Sequence, residues 1–188
     1  MPVLKKKKII SSTPSNVMID LETLGQHPGC SILSIGAVAF NPTSGELDEG
    51  FYVVVSRTSC REAGLLESQD TIDWWAKQAP EAREVIDVAE STEAMSLSEA
   101  MLQLTCYLTQ FGLTQLKVWG NGADFDNAIL NCCYAAVEQH VPWKFWHNRC
   151  YRTLKSIVPG PEFKRQGTYH NALDDARSQA LHAIQLLR

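Results

Sequence analysis

"NVMIDLETLG" (residues 16–25) is the stretch on which the reading of this chain turns. Val17, Met18 and Ile19 are apolar and two of them are β-branched, so they predict a buried strand. The strand is expected to end on Asp20, and Glu22 follows two places later. Side chains alternate along a strand, so Asp20 and Glu22 point the same way if the extended geometry persists. Two carboxylates on one face at the edge of a core repel each other and are costly to desolvate. Their position therefore asks for a counter-charge.

Working outward, "SILSIGAVAF" (31–40) alternates and is rich in branched residues, a second strand. "NPTSGELDEG" (41–50) is a turn region and "FYVVV" (51–55) a third strand, which together suggest an antiparallel meander. The pattern then becomes helical: residues 70–78, residues 79–89 with Pro80 near the start, and residues 96–112 with a capping-box-like Ser96-x-x-Glu99. "LKVWGN" (116–121) is a short strand, and helices are expected over 124–140, 150–158 and 170–188. This order predicts one mixed β-sheet flanked by helices, an α/β domain.

The chain has 188 residues, enough for one well-cored domain, with 45% hydrophobic and 20% charged residues. No apolar run approaches the ~20 residues of a membrane helix. The N-terminus lacks the apolar stretch of a secretory signal, so a cytoplasmic protein is expected. Its basic run Lys5–Lys8 predicts a flexible tail over residues 1–14, with one domain over 15–188. Six cysteines without a framework spacing read as free thiols of a reducing compartment. The net charge of −4 argues against broad nucleic-acid coating. Charge is nonetheless segregated: Asp20 to Glu99 holds 15 acidic and 4 basic residues, whereas Lys144 to Arg165 holds 6 basic residues against Glu162 alone. Such a basic segment suits an enzyme that grips a few phosphates, and equally a solvated positive face.

Two further carboxylate clusters stand out. In "VWGNGADFDNAIL" (118–130) a strand runs into a Gly-rich turn and a helix. Asp124 is read as the helix N-cap, whereas Asp126 lies roughly 80° from the apolar centre and needs another partner. In "YHNALDDARSQ" (169–179) Asn171 and Asp174 have capping-box-like spacing. His170 then precedes the cap and Asp175 lies in the first turn, so both can face one cavity. Helical geometry alone does not choose between Asp174 and Asp175. Singly, each cluster has a plain structural explanation: a charged strand end, an ion pair, a capping histidine. Their conjunction is different. Four carboxylates do not stay ionised together without counter-charge, and hard oxygen ligands suit Mg²⁺ or Mn²⁺.

"MIDLETLG…ILSIGAVAF", "WGNGADFDNAIL" and "YHNALDDARSQA", in this order, resemble the three motifs of the DEDDh 3′–5′ exonucleases, of the DnaQ-like, ribonuclease H-like superfamily. "TIDWWAKQAPEAR" (71–83) resembles a segment of its small bacterial, mycobacterial and phage members, exoribonucleases and DexA-type exonucleases among them. The resemblance implies a ribonuclease H-like fold. It places the catalytic residues at Asp20, Glu22, Asp126, His170 and Asp175, rather than Asp174. Asp20, Glu22, Asp126 and Asp175 are then the ligands of two divalent ions, and His170 is the general base. The implied reaction releases nucleoside 5′-monophosphates from the 3′ end of RNA or single-stranded DNA, with RNA slightly favoured.

For substrate binding the resemblance points to Thr23 and Leu24, just after the first motif. Trp74 and Trp75, adjacent on a helix, offer base stacking or plain packing; Lys155, Lys164 and Arg165 offer phosphate contacts. The loop 159–167, before His170, suits closure over a bound end. Homodimerisation is common among small relatives, and no feature of this sequence bears on it. Two other readings compete: a nucleic-acid-binding module with weak or no activity, and a zinc protein using Cys132, Cys133, His147 and Cys150.

Overall fold

The structure, a computed structural model, describes residues 15–188. The tail expected over residues 1–14 lies outside the described residues. Strand β1 (Asn16–Thr23) is central in a five-stranded sheet. β2 (Ile32–Phe40) pairs with it antiparallel, and β3 (Phe51–Val54) pairs antiparallel with β2, completing the expected meander. On the other side β4 (Lys117–Gly120) and then β5 (Asn148–Cys150) add in parallel. The helices are α1 (Arg57–Glu62), α2 (Gln69–Trp75), α3 (Pro80–Ala89), α4 (Leu97–Thr109), α5 (Asp126–Ala136), α6 (Tyr151–Ile157) and α7 (Ala172–Leu186).

The alternation of β1 sorts the helices into two layers. Val17, Ile19 and Leu21 pack with Leu104 and Leu108 of α4 and with Ile129 and Leu130 of α5. Met18 packs on the other face with Ala176, Ala180 and Ala183 of α7 and Tyr151 of α6. The small side chains of α7 let that helix lie close to the sheet. Asp20 and Glu22 continue the Met18 face, so β1 delivers both carboxylates toward α7. Extended geometry persists three residues beyond Asp20, with a register shift between Glu22 and Thr23 at the end.

Two glycines set the docking of the helices that carry the other acids. A Cβ on Gly36, the residue paired with Asp20, would lie 2.1 Å from the Ala172 carbonyl carbon. A Cβ on Gly120 would lie 2.8 Å from Asp126 Cβ. Glycine at each place lets a helix N-terminus touch the sheet backbone, α7 on one face and α5 on the other.

The expected caps at Ser96 and Asn171 form: Ser96 Oγ accepts from Glu99 N, and Asn171 Oδ1 accepts from Leu173 N and Asp174 N. The cap expected at Asp124 does not. Phe125 occupies the N-cap position without a side-chain hydrogen bond, and α5 starts at Asp126. Gly122 O already accepts from Phe125 N and Asp126 N, so a backbone turn satisfies these groups and leaves Asp124 exposed. α1 and β5 were not expected. The first is six residues long, too short for a period, and Glu67 clamps it by accepting from both Arg57 and Arg61. The second is a polar, half-buried triplet.

Candidate active site

At the C-terminal end of β1 the three clusters meet. β1 contributes Asp20 and Glu22, the first residue of α5 contributes Asp126, and the first turn of α7 contributes Asp175. Glu22, Asp126 and Asp175 are buried and Asp20 is half-buried. Ligand atoms of Glu22, His170 and Asp175 all lie within 4.8 Å of one another. Asp174 points elsewhere, its carboxylate accepting from Thr168 N at 2.8 Å.

The electrostatics record the crowding. Burial, reinforced by the negative charges of Asp126, Glu22 and Asp175, holds the Asp20 carboxyl well above the usual carboxylate range. Burial and Asp175 push Glu22 up to about 8, with Arg165 opposing. Burial pushes Asp126 up to about 7 against backbone hydrogen bonds and the nearby charge of Arg152. Asp175 is raised by burial, with its ion-pair partner Arg165 opposing. Asp126 Oδ2 is buried without a hydrogen-bond partner. An orphaned carboxylate oxygen among hard oxygen donors fits a divalent cation such as Mg²⁺ or Mn²⁺. By contrast, Cys132, Cys133, His147 and Cys150 form no ligand group among the described residues, and Cys133 is buried in the core. The zinc reading has no site.

His170 sits in the left-handed region at φ 59°, unusual for a side chain with a Cβ and a known mark of strained functional positions. The rings of Trp74 and Trp75 meet it edge-on at centroid distances of 5.0 and 5.8 Å. Burial lowers the His170 pKa, with Asp175 opposing and Arg165 adding to the lowering, so the site favours the neutral imidazole.

A family model of the 3′–5′ exoribonuclease Rv2179c-like domain matches residues 15–187. The chain belongs to that family. An exodeoxyribonuclease of Enterobacteria phage T4 is 27% identical over 158 residues, 72% of this chain and 68% of that protein. Among solved structures, E. coli exonuclease I in complex with a dT13 oligonucleotide superposes with TM-score 0.62 at 13% identity. That match covers 90% of this chain and only 40% of exonuclease I. The nuclease domain of 3′hExo, a DEDDh family member bound to rAMP, gives TM-score 0.60 at 16% identity and covers 95% of this chain and 94% of that domain. The fold is the ribonuclease H-like one of the DEDDh enzymes, and the family to which the chain belongs is one of 3′–5′ exonucleases.

Within this Rv2179c-like exonuclease, the residues expected to touch substrate fall into different settings. A cleft of about 530 Å³ opens beside Glu22, lined among others by Thr23, Gln26, His27, Trp74 and Phe125. Thr23 lines it, although its hydroxyl donates to Gly25 O at 2.6 Å. Leu24 does not; it is a core residue packed with Leu33, Ala82 and Val85. The two tryptophans divide. Trp75 is 1% exposed and donates from Nε1 to Thr23 O at 2.9 Å, whereas Trp74 is 43% exposed on the cleft. Lys155 Nζ lies over the rings of Tyr151 and Phe163, and Lys164 is exposed. Arg165 alone of these cations reaches the carboxylates.

Sequence reasoning missed Gln179, which donates from Nε2 to Asp20 Oδ1 at 2.7 Å. Its signal was present: it lies four residues after Asp175 on α7, one turn along the same face. It also missed Arg152, whose charge acts on Asp126.

Proposed function

We propose that the chain removes nucleoside 5′-monophosphates from the 3′ end of single strands, RNA in preference to DNA, by a two-metal reaction with His170 as general base. The observation that carries this reading is the convergence of Asp20, Glu22, Asp126 and Asp175 from three elements beside a strained, aromatic-flanked His170. Asp20, Glu22, Asp126 and Asp175 would hold two divalent ions, whose charge would offset that of the phosphate and favour ionisation of the attacking water. His170, whose neutral form burial favours, accepts the proton of the attacking water. Its backbone strain and the flanking tryptophans restrict the imidazole to few orientations. Gln179 fixes the Asp20 carboxylate through Oδ1. The terminal nucleotide enters the cleft where Trp74 and Phe125 offer stacking faces that accept any base. A second cleft of about 510 Å³, lined by His170 and Asn171, is bounded by Glu81 and Glu84, which disfavour phosphate.

The family description supports RNA as the preferred sugar, while the T4 relative acts on DNA. The test uses 5′-labelled RNA and DNA of one sequence with Mg²⁺ or Mn²⁺ and the Asp20→Ala protein as control. A ladder shortening from the 3′ end, faster on RNA and absent in the mutant, is the expected result. A faster DNA ladder overturns the sugar preference. Intact label with both substrates overturns the activity on single strands.

A further inference from the structure

Arg165 makes an ion pair to Asp175 Oδ1 from the loop between α6 and α7. Its charge also acts on Glu22 and on His170. The guanidinium thus sits beside three groups whose ligand atoms lie within 4.8 Å of one another. We propose that Arg165 is a built-in counter-cation that competes with the divalent metal for Asp175, and that metal loading releases it from that carboxylate. This rests on the reading of the carboxylates as metal ligands.

Three observations point to exchange rather than to a fixed strut. Asp175 is one of the few hard oxygen donors in the cluster, and Arg165 already takes one of its two carboxylate oxygens, Oδ1. The Arg165 side chain is 28% exposed against 6% for Asp175, so the arginine has a wider path to solvent than the carboxylate. The backbone next to it is pinned: Gln166 N donates to Ser178 Oγ at 2.9 Å, and that hydroxyl in turn donates to Asp174 O of α7 at 2.8 Å. Release is therefore a swing of the side chain, with the loop staying in place. The ring of Tyr169 lies 4.6 Å from the guanidinium carbon, a stacking seat beside the carboxylates. From there a freed guanidinium matches a phosphate by its planar fork.

The test measures Mn²⁺ binding by isothermal titration to EDTA-stripped, dialysed protein, with no substrate and no turnover. Arg165→Gln keeps much of the side-chain length and removes the charge. It is expected to bind Mn²⁺ about tenfold more tightly than the wild type, the equivalent of one charge-assisted hydrogen bond no longer displaced. Arg165→Lys, which keeps the charge without the fork, is expected to fall between the two. Lys164→Gln removes a neighbouring charge that touches no carboxylate, and its Mn²⁺ affinity is expected within about twofold of the wild type. Equal or weaker binding by Arg165→Gln overturns the proposal, as does equal tightening by Lys164→Gln. Absence of Mn²⁺ binding by all the proteins overturns the metal reading together with it, which separates the two failures.

Discussion

Replacing Gly36 by alanine tests whether backbone contact between β2 and α7 sets the geometry of the site. The new Cβ would lie 2.1 Å from the Ala172 carbonyl carbon, 2.2 Å from Leu173 N and 2.3 Å from Ala172 O. Ordinary contact begins near 3.4 Å, and all three neighbours are main-chain atoms that no rotamer change can move. The first turn of α7 must therefore retreat by about 1 Å, carrying Asp175 and His170 with it while Asp20 and Glu22 stay on β1. A misplacement of ~1 Å costs on the order of 10²-fold in rate. Overpacking costs about 1–3 kcal/mol, or a Tm fall of roughly 2–12 °C for a chain of this size. The assay pairs initial rates on a 5′-labelled oligonucleotide at saturating Mn²⁺ with differential scanning calorimetry. A kcat within threefold of wild type, alongside the expected Tm fall, would refute the claim that this contact positions the catalytic groups. An unchanged Tm would refute the close approach itself.

In EDTA, stability is expected to fall as pH rises from 5 to 8. Glu22, held at about 8, and Asp126, held at about 7, keep protons in the native state that the unfolded chain has already lost, so the native state alone gains by acid. A Tm that rises or stays flat over that range contradicts the burial argument, and Mn²⁺ should abolish the slope. His170→Asn is expected to lower kcat by about 10²–10⁴-fold while leaving the Mn²⁺ Kd within about threefold; a larger loss of affinity would make His170 a ligand instead of a base. Trp74→Ala should raise KM for single strands by roughly 5–100-fold, the value of one stacked base. A fall in kcat at unchanged KM would assign Trp74 to holding His170 alone.

The sequence carried most of the sheet because strands follow from a short period, and the carboxylates it singled out are ones that the fold brings to one end of β1. The alternation in β1 and β2, and the apolar spacing of α4 and α7, are local signals that tertiary packing reinforces. It carried Asp175 over Asp174 only through the family motif, since both lie in the first turn of α7. The misread cap at Asp124 shows a different limit. A Gly-rich turn can satisfy helix N–H groups with its own carbonyl, and nothing in the residue types distinguishes that from a side-chain cap. Leu24 shows a third. Adjacency to a motif did not reveal that its side chain turns into the core while Thr23 lines the cleft. The tryptophan pair was legible only as a choice between stacking and packing, and its contact with His170 joins residues almost a hundred positions apart and leaves no local trace.

Asp126 comes from the helix layer on one face of the sheet and Asp175 from the layer on the other. An ion held by both would be a rivet through the sheet's edge, joining two halves of the core that are otherwise tied through the strands. Backbone amides in the first turns of α5 and α7 should then gain protection from hydrogen exchange together when metal is added, although they lie on opposite sides of the molecule. Opening of either layer would carry the same free energy as opening of both, so the chemistry that cuts a phosphodiester would also make one cooperative unit out of two.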